Sequence, residues 1–161
     1  MAVAFFSAHH HPMLSKKVNK KTTPNTGKKR ILAVDDQACN TRLLKLCLER
    51  TNDYEVREEN DAMVAFSAAE NFQPHLILLD VMMPGLDGWD LAGRIQANPK
   101  LKSVPIVFLT AAMTKKEIKA IDGRFWGYPF LAKPVVLTEV LACLNHHLGM
   151  ARLGANPARP A

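Results

Sequence analysis

Five polar side chains stand at the ends of apolar runs, and their types suit the transfer of a phosphoryl group. Asp35 and Asp36 follow residues 31–34 (ILAV), and Asp80 closes 76–79 (LILL). Thr110 closes 104–109 (VPIVFL), and Lys133 follows 130–132 (FLA). Gathered at one edge, they would make three carboxylates, one hydroxyl and one ammonium. Clustered carboxylates repel, so such a site needs positive charge. A hard divalent cation with oxygen ligands supplies it, and a site open to solvent suits magnesium, which keeps several waters. Lys133 supplies the second positive charge, and Thr110 can donate to a developing anionic oxygen. A carboxylate can act as nucleophile and form an acyl phosphate, and the remaining work is positioning and charge neutralisation. Asp80, at the end of the central run, is the best-placed nucleophile. A merely solvated acidic face is the poorer reading, because random surface acids would not all terminate apolar strands.

The elements that must position these residues alternate along the chain. Strands are expected at 31–34, 54–57, 76–79, 104–109 and 130–132. Helices are expected at 38–50, 61–71, 88–97, 114–121 and 138–148. The first helix carries Leu43, Leu44, Cys47 and Leu48 at helical spacing, and the second places Ala62, Ala65, Phe66 and Ala69 on one face. Asn98-Pro99 stops the third helix, while Gly123 and Gly127 weaken the end of the fourth. Val140, Leu141, Leu144 and Leu148 of the last helix face inward. Five such alternations mean a parallel sheet covered on both faces. The unbroken apolarity of strands one, three and four puts them at its centre. In open sheets of this kind ligands sit beyond the carboxyl ends of the strands, where all five polar residues lie.

A chain of 161 residues, 48% hydrophobic and 22% charged, has room for one domain with flexible ends. Residues 1–28 read as a disordered basic arm, 29–149 as the folded unit and 150–161 as a second tail. The net charge of +6 belongs to the ends: residues 31–149 hold 12 of the 21 cations and all 15 acids, a net of −3. A basic arm alone gives only weak, salt-sensitive attachment to polyanions, so nucleic acid is not the expected partner. His9–His11 read as solvated tail residues. The three cysteines form no CxxC pair; Cys39 and Cys47 read as small buried apolar residues in a reducing cytoplasm. The opening MAVAFFSAHHHP lacks the pattern of a signal peptide, and no apolar run is long enough to span a membrane.

Four pieces carry a family likeness. VDD at 34–36, LLDVMMPGLDG at 78–88, LTAA at 109–112 and FLAKP at 130–134 resemble the receiver domains of two-component response regulators, the CheY-like family. The likeness covers about 29–148. It implies a doubly wound α/β (βα)5 flavodoxin-like fold whose five-stranded parallel sheet has the order 2-1-3-4-5. It implies that Asp80 is the phosphoacceptor and that Asp36 binds Mg2+ directly, with Asp35 acting through water. The backbone carbonyl of Met82 would be the third protein ligand. Thr110 and Lys133 would contact the phosphoryl group, Phe130 would be the switch aromatic, and Lys133-Pro134 would be cis. The partners implied are a sensor histidine kinase or a histidine phosphotransfer protein, together with a downstream protein the sequence does not identify. Output would run through the face of helix 4, strand 5 and helix 5, which leaves room for a phosphorylation-linked dimer. The expectation is a stand-alone switch rather than an enzyme.

Two positions beside the acid, Met82 and Ala112, are apolar. They should position no attacking water, so the phosphorylated form should decay slowly. Residues 121–129 (IDGRFWGYP) depart from the family, and Phe125, Trp126 and Tyr128 could either form a partner-binding patch or cover the sheet edge. Trp89, Met63, Met82, Met83 and Met113 read as packing residues. A haloacid-dehalogenase-type phosphatase would need a second acid two residues after the nucleophile, where Met82 stands. A nucleic-acid binder working through the arm has no recognition helix to point to.

Overall fold

The apolar runs become the strands of one sheet because their side chains are buried on both of its faces. The computed structural model describes residues 27–150; the expected arm lies outside them except for Gly27 and Lys28, and the expected tail except for Met150. The strands are β1 (Lys29–Val34), β2 (Tyr54–Glu59), β3 (Leu76–Asp80), β4 (Ile106–Thr110), β5 (Arg124–Phe125) and β6 (Tyr128–Ala132). The helices are α1 (Ala38–Glu49), α2 (Ala62–Phe72), α3 (Gly88–Ala97), α4 (Lys115–Ala120) and α5 (Leu137–Leu148). Every residue of β3 and β4 is buried. Side chains alternate between faces along a strand. Leu32, Val34, Ile77, Leu79 and Phe108 therefore join Ala65, Ala69, Leu91 and Ile95 of α2 and α3 in one core. Ile31, Ala33, Leu76, Leu78 and Val107 join Leu44, Leu48, Val140 and Leu144 of α1 and α5 in the other.

The sheet order is β2-β1-β3-β4-β6-β5. The five expected strands take the order 2-1-3-4-5, all parallel, with β6 as the expected fifth. The difference is β5, which pairs antiparallel with β6 at the sheet's edge. Its two-residue turn is Trp126-Gly127, with φ of 50° and 85°. Positive φ at both central residues is the geometry whose twist suits a tight hairpin. This hairpin takes chain that the sequence assigned to a loop, and α4 ends at Ala120.

Several side chains depart from expectation. Cys39 is exposed and Cys47 half-buried rather than buried, and Met63 and Met82 stand in solvent, Met82 at 67% exposure, rather than packing. Met83 is buried and Met113 lies against the core, as expected. Leu43 is exposed as well, because α1 contacts the sheet through Thr41, Leu44 and Leu48.

The turn from β3 into α3 fixes the end of the central strand. The Asp87 carboxylate caps α3 by accepting from the Trp89 N–H. Gly88 N–H donates to the Val81 carbonyl at 3.0 Å. A Cβ on Gly88 would collide with the Asp80 backbone carbonyl, whereas one on exposed Gly93 meets nothing. Gly88→Ala should therefore lower stability by about 1–3 kcal/mol, as overpacking does. Gly93→Ala should raise it by about 0.5–1 kcal/mol through helix propensity. Urea midpoints of the two variants should move in opposite directions.

Candidate functional site

The parallel register brings the expected residues to one end of the sheet. Asp80 stands at the carboxyl end of β3 beside Leu109 of β4, and Asp35 immediately follows β1. Asp35, Asp36 and Asp80 each offer a carboxylate oxygen within 4.8 Å of the others. Asp35 and Asp80 are buried, while Asp36 faces solvent. Lys133 Nζ bridges the two buried acids, 2.6 Å from Asp35 Oδ2 and 2.8 Å from Asp80 Oδ2. Its own N–H donates to the Thr110 carbonyl at 2.7 Å, which ties the loop after β6 to the end of β4. The Lys133–Pro134 peptide is cis, as expected. Thr110 is buried; its hydroxyl accepts from the Ala112 N–H at 3.0 Å and donates to no group among the described residues. Met82 N–H donates to Asp80 Oδ1. Phe130 is buried and stacks on Phe108, well inside the aromatic layer below Thr110.

Two residues absent from the sequence reading hold the site together. The Asn40 amide donates to both oxygens of Asp35, at 3.2 and 3.0 Å, and the Gln37 N–H donates to one of them. Asn60 donates to the Asp35 carbonyl and to the Thr41 hydroxyl. An amide in the first turn of the helix after an acidic strand end was a readable signal for Asn40. Asn60 follows β2, and only the pairing of Val34 with Glu59 shows that it reaches Asp35.

The electrostatics follow from two buried carboxylates sharing one ammonium. Burial raises the Asp80 carboxyl above its ordinary value; Lys133 and the Met82 N–H pull it back and the charge of Asp35 pushes it up, and the net shift is upward. Burial alone would lower Lys133, but its contacts with Asp35 and Asp80 outweigh this and raise it. Burial disfavours the charged form of Asp80, and the two acids favour the charged form of Lys133. A cluster of hard oxygens lacking positive charge fits a divalent cation.

This arrangement is what a receiver domain needs, and residues 31–145 match the family model for the response regulator receiver domain. The chain belongs to that family. It is 42% identical over 107 residues to response regulator PleD of Caulobacter vibrioides, covering 66% of this chain and 23% of that protein. It is 41% identical over 118 residues to transcriptional regulatory protein ResD of Bacillus subtilis, covering 72% and 46%. The chain thus spans under half the length of these relatives. Among solved structures it is similar to chemotaxis protein CheY4 of Vibrio cholerae, with TM-score 0.64, 27% identity, and coverage of 75% of this chain and 99% of that one. It is also similar to the receiver domain of sensor histidine kinase PA1611 from Pseudomonas aeruginosa, solved with magnesium coordinated in its active-site cleft. That match has TM-score 0.63 and 29% identity, and covers 76% and 98%.

The raised Asp80 value has a stability consequence. Between the unfolded and the folded carboxyl values the native state holds more protons, so stability falls as pH rises through that window. Asp80→Asn removes the penalty. In chelator, its melting temperature should exceed the wild type's at pH 7 by more than at pH 4, as thermal melts at the two pH values would show.

Proposed function

We propose that this receiver domain is a phosphorylation switch in which Asp80 accepts a phosphoryl group from a phosphohistidine on a sensor kinase or phosphotransfer protein. The observation that carries the reading is Lys133 Nζ lying between Asp35 and Asp80 at hydrogen-bond distance from both. An Asp80 carboxylate oxygen attacks phosphorus and the phosphorus–nitrogen bond breaks. Its electron pair stays with the imidazole, which takes a proton from water as it leaves. Lys133 stands beside the attacking carboxylate, so its charge is in place as negative charge gathers on the phosphoryl oxygens. Thr110 has a hydroxyl hydrogen free to donate to one of those oxygens. Asp36, Asp80 and the Met82 backbone carbonyl would hold Mg2+ directly, with Asp35 acting through water. When bound, the ion neutralises phosphoryl charge. The magnesium in the PA1611 receiver supports this assignment.

Phe130 is the switch aromatic in this reading. It pairs with Phe108 in register while Thr110 pairs with Ala132, so the hydroxyl and the ring lie two positions apart on adjacent strands. A Thr110 drawn toward a phosphoryl group leaves space that the ring can follow, and the change is read on the face of α4, β6 and α5. The domain, taken as 29–149, assists its own phosphorylation and dephosphorylation and otherwise acts by docking, as a dimer or on a partner. We place it in the cytoplasm, where its three free thiols stay reduced; no helix among the described residues is long and apolar enough to cross a membrane.

Incubation with Mg2+ and a small acyl phosphate donor should add the mass of one phosphoryl group to the wild type and nothing to Asp80→Asn. Lys133→Ala should slow the reaction about 10²-fold, the scale of losing one charge-stabilising contact. Equal labelling of wild type and Asp80→Asn would end the proposal. Met82 and Ala112 are exposed, and their N–H groups donate to Asp80 and to the Thr110 hydroxyl, so Met82→Asn and Ala112→Glu should shorten the lifetime of the phosphorylated form. Timed release of phosphate measures it.

A further inference from the structure

The hairpin of β5 and β6 holds a tryptophan out into solvent. Trp126 is 77% exposed at φ 50°, a conformation that non-glycine residues seldom adopt. Its ring stacks on Phe125 and meets the edge of Trp89, with centroids 5.1 and 5.3 Å apart. Its position is therefore built rather than frayed.

Beside it lies an open groove of about 320 Å³ at the amino-terminal ends of β4 and β6, the opposite end of the sheet from Asp80. Trp126, Tyr128, Pro129 and Val104 make its apolar wall, and Lys102, Arg124 and His147 bring the ionisable groups. Among the described residues no Asp or Glu lines it; Asp122 borders the neighbouring hollow. Neither Lys102 nor Arg124 has a carboxylate within ion-pair distance among the described residues. The Arg124 guanidinium is held by its bond to the Gly127 carbonyl. The folded part of the chain is net acidic, so a cationic groove on it is a local feature.

We propose that this groove docks an acidic peptide segment of a partner protein, with an apolar side chain seated against Trp126 and carboxylates facing Lys102 and Arg124. Aromatic anchors beside fixed cations are the usual centres of binding energy, and opposite charge at the rim selects the partner. A short groove with one apolar wall suits a peptide side chain better than a strand of nucleotides, which needs successive stacking platforms along a basic track. The inference deepens the output role above and rests on that reading for its meaning in signalling. Trp89 supplies the link, since it touches both Trp126 and the buried Phe130, 5.8 Å away.

A display library of random 12-residue peptides, selected on the full chain and followed by anisotropy with labelled winners, tests it. Winners should be rich in Asp and Glu around one aromatic or aliphatic residue. Their affinity should fall about tenfold or more in Lys102→Glu/Arg124→Glu and in Trp126→Ala. Phosphorylation at Asp80 should be unchanged in these variants. If Trp126→Ala melts early, the charge reversal of two exposed side chains decides. Winners without acidic residues would overturn the proposal, as would affinities that ignore all three substitutions. Retention of an oligothymidine, and of no acidic peptide, at the same side chains would overturn it too. Peptide binding without phosphorylation would sink the phosphoacceptor reading alone; phosphorylation without peptide binding would sink only this one.

Discussion

Two buried carboxylates held by one ammonium set the terms for the rest of this structure. Removing charged groups from water is costly, and their attraction offsets the cost only when the remaining hydrogen bonds are also made. Asp35 has them, from Asn40, Gln37 N–H and Lys133. Among the described residues Asp80 has only Lys133 and a long bond from Met82 N–H. That asymmetry sorts the roles. The better-satisfied carboxylate is anchored, and the less satisfied one is left with unused lone pairs, which is why the proposed nucleophile is Asp80. Lys133 can serve both because its backbone is tied to Thr110, so the far end of β4 and the loop after β6 are fixed with respect to each other.

The two-faced burial of β1, β3 and β4 is the other half of this constraint. A strand buried on both sides cannot slip by one residue without exchanging its two faces, so the terminal residues Asp80 and Thr110 are placed as firmly as the core is packed. The face toward α2 and α3 holds the aromatic layer of Phe108, Phe130 and Trp89. Close-packed interiors shift between discrete arrangements rather than deforming smoothly. In the proposed switch, a change at Thr110 would reach the surface through this layer as a choice of ring positions.

The strands and the gathering of Asp35, Asp36, Asp80 and Lys133 were legible because unbroken apolar runs end in these polar residues. Asn60 was not legible, since its role arises from the pairing of β1 with β2 and leaves no mark on local sequence. The hairpin was missed for a different reason. Trp126-Gly127 is not one of the Asn-Gly or Asp-Gly pairs that announce a tight turn, and two glycines near a helix end read equally well as a loop. Cys39 misled because apolar spacing marks a helical face without saying how wide its buried part is: α1 buries Thr41, Leu44 and Leu48 and turns Cys39 outward.

A tryptophan with positive φ is a local departure from what its own backbone prefers, and such departures persist only where surrounding contacts over-determine them. Here those contacts are Phe125 and Trp89, and Trp89 follows Gly88, whose lack of a side chain lets α3 begin against Asp80. The same turn that closes β3 thus also sets the ring that supports the hairpin. Asp80 and the hairpin turn lie at opposite ends of the sheet, yet one short connection, from Asp80 through Gly88 to Trp89, bears on both.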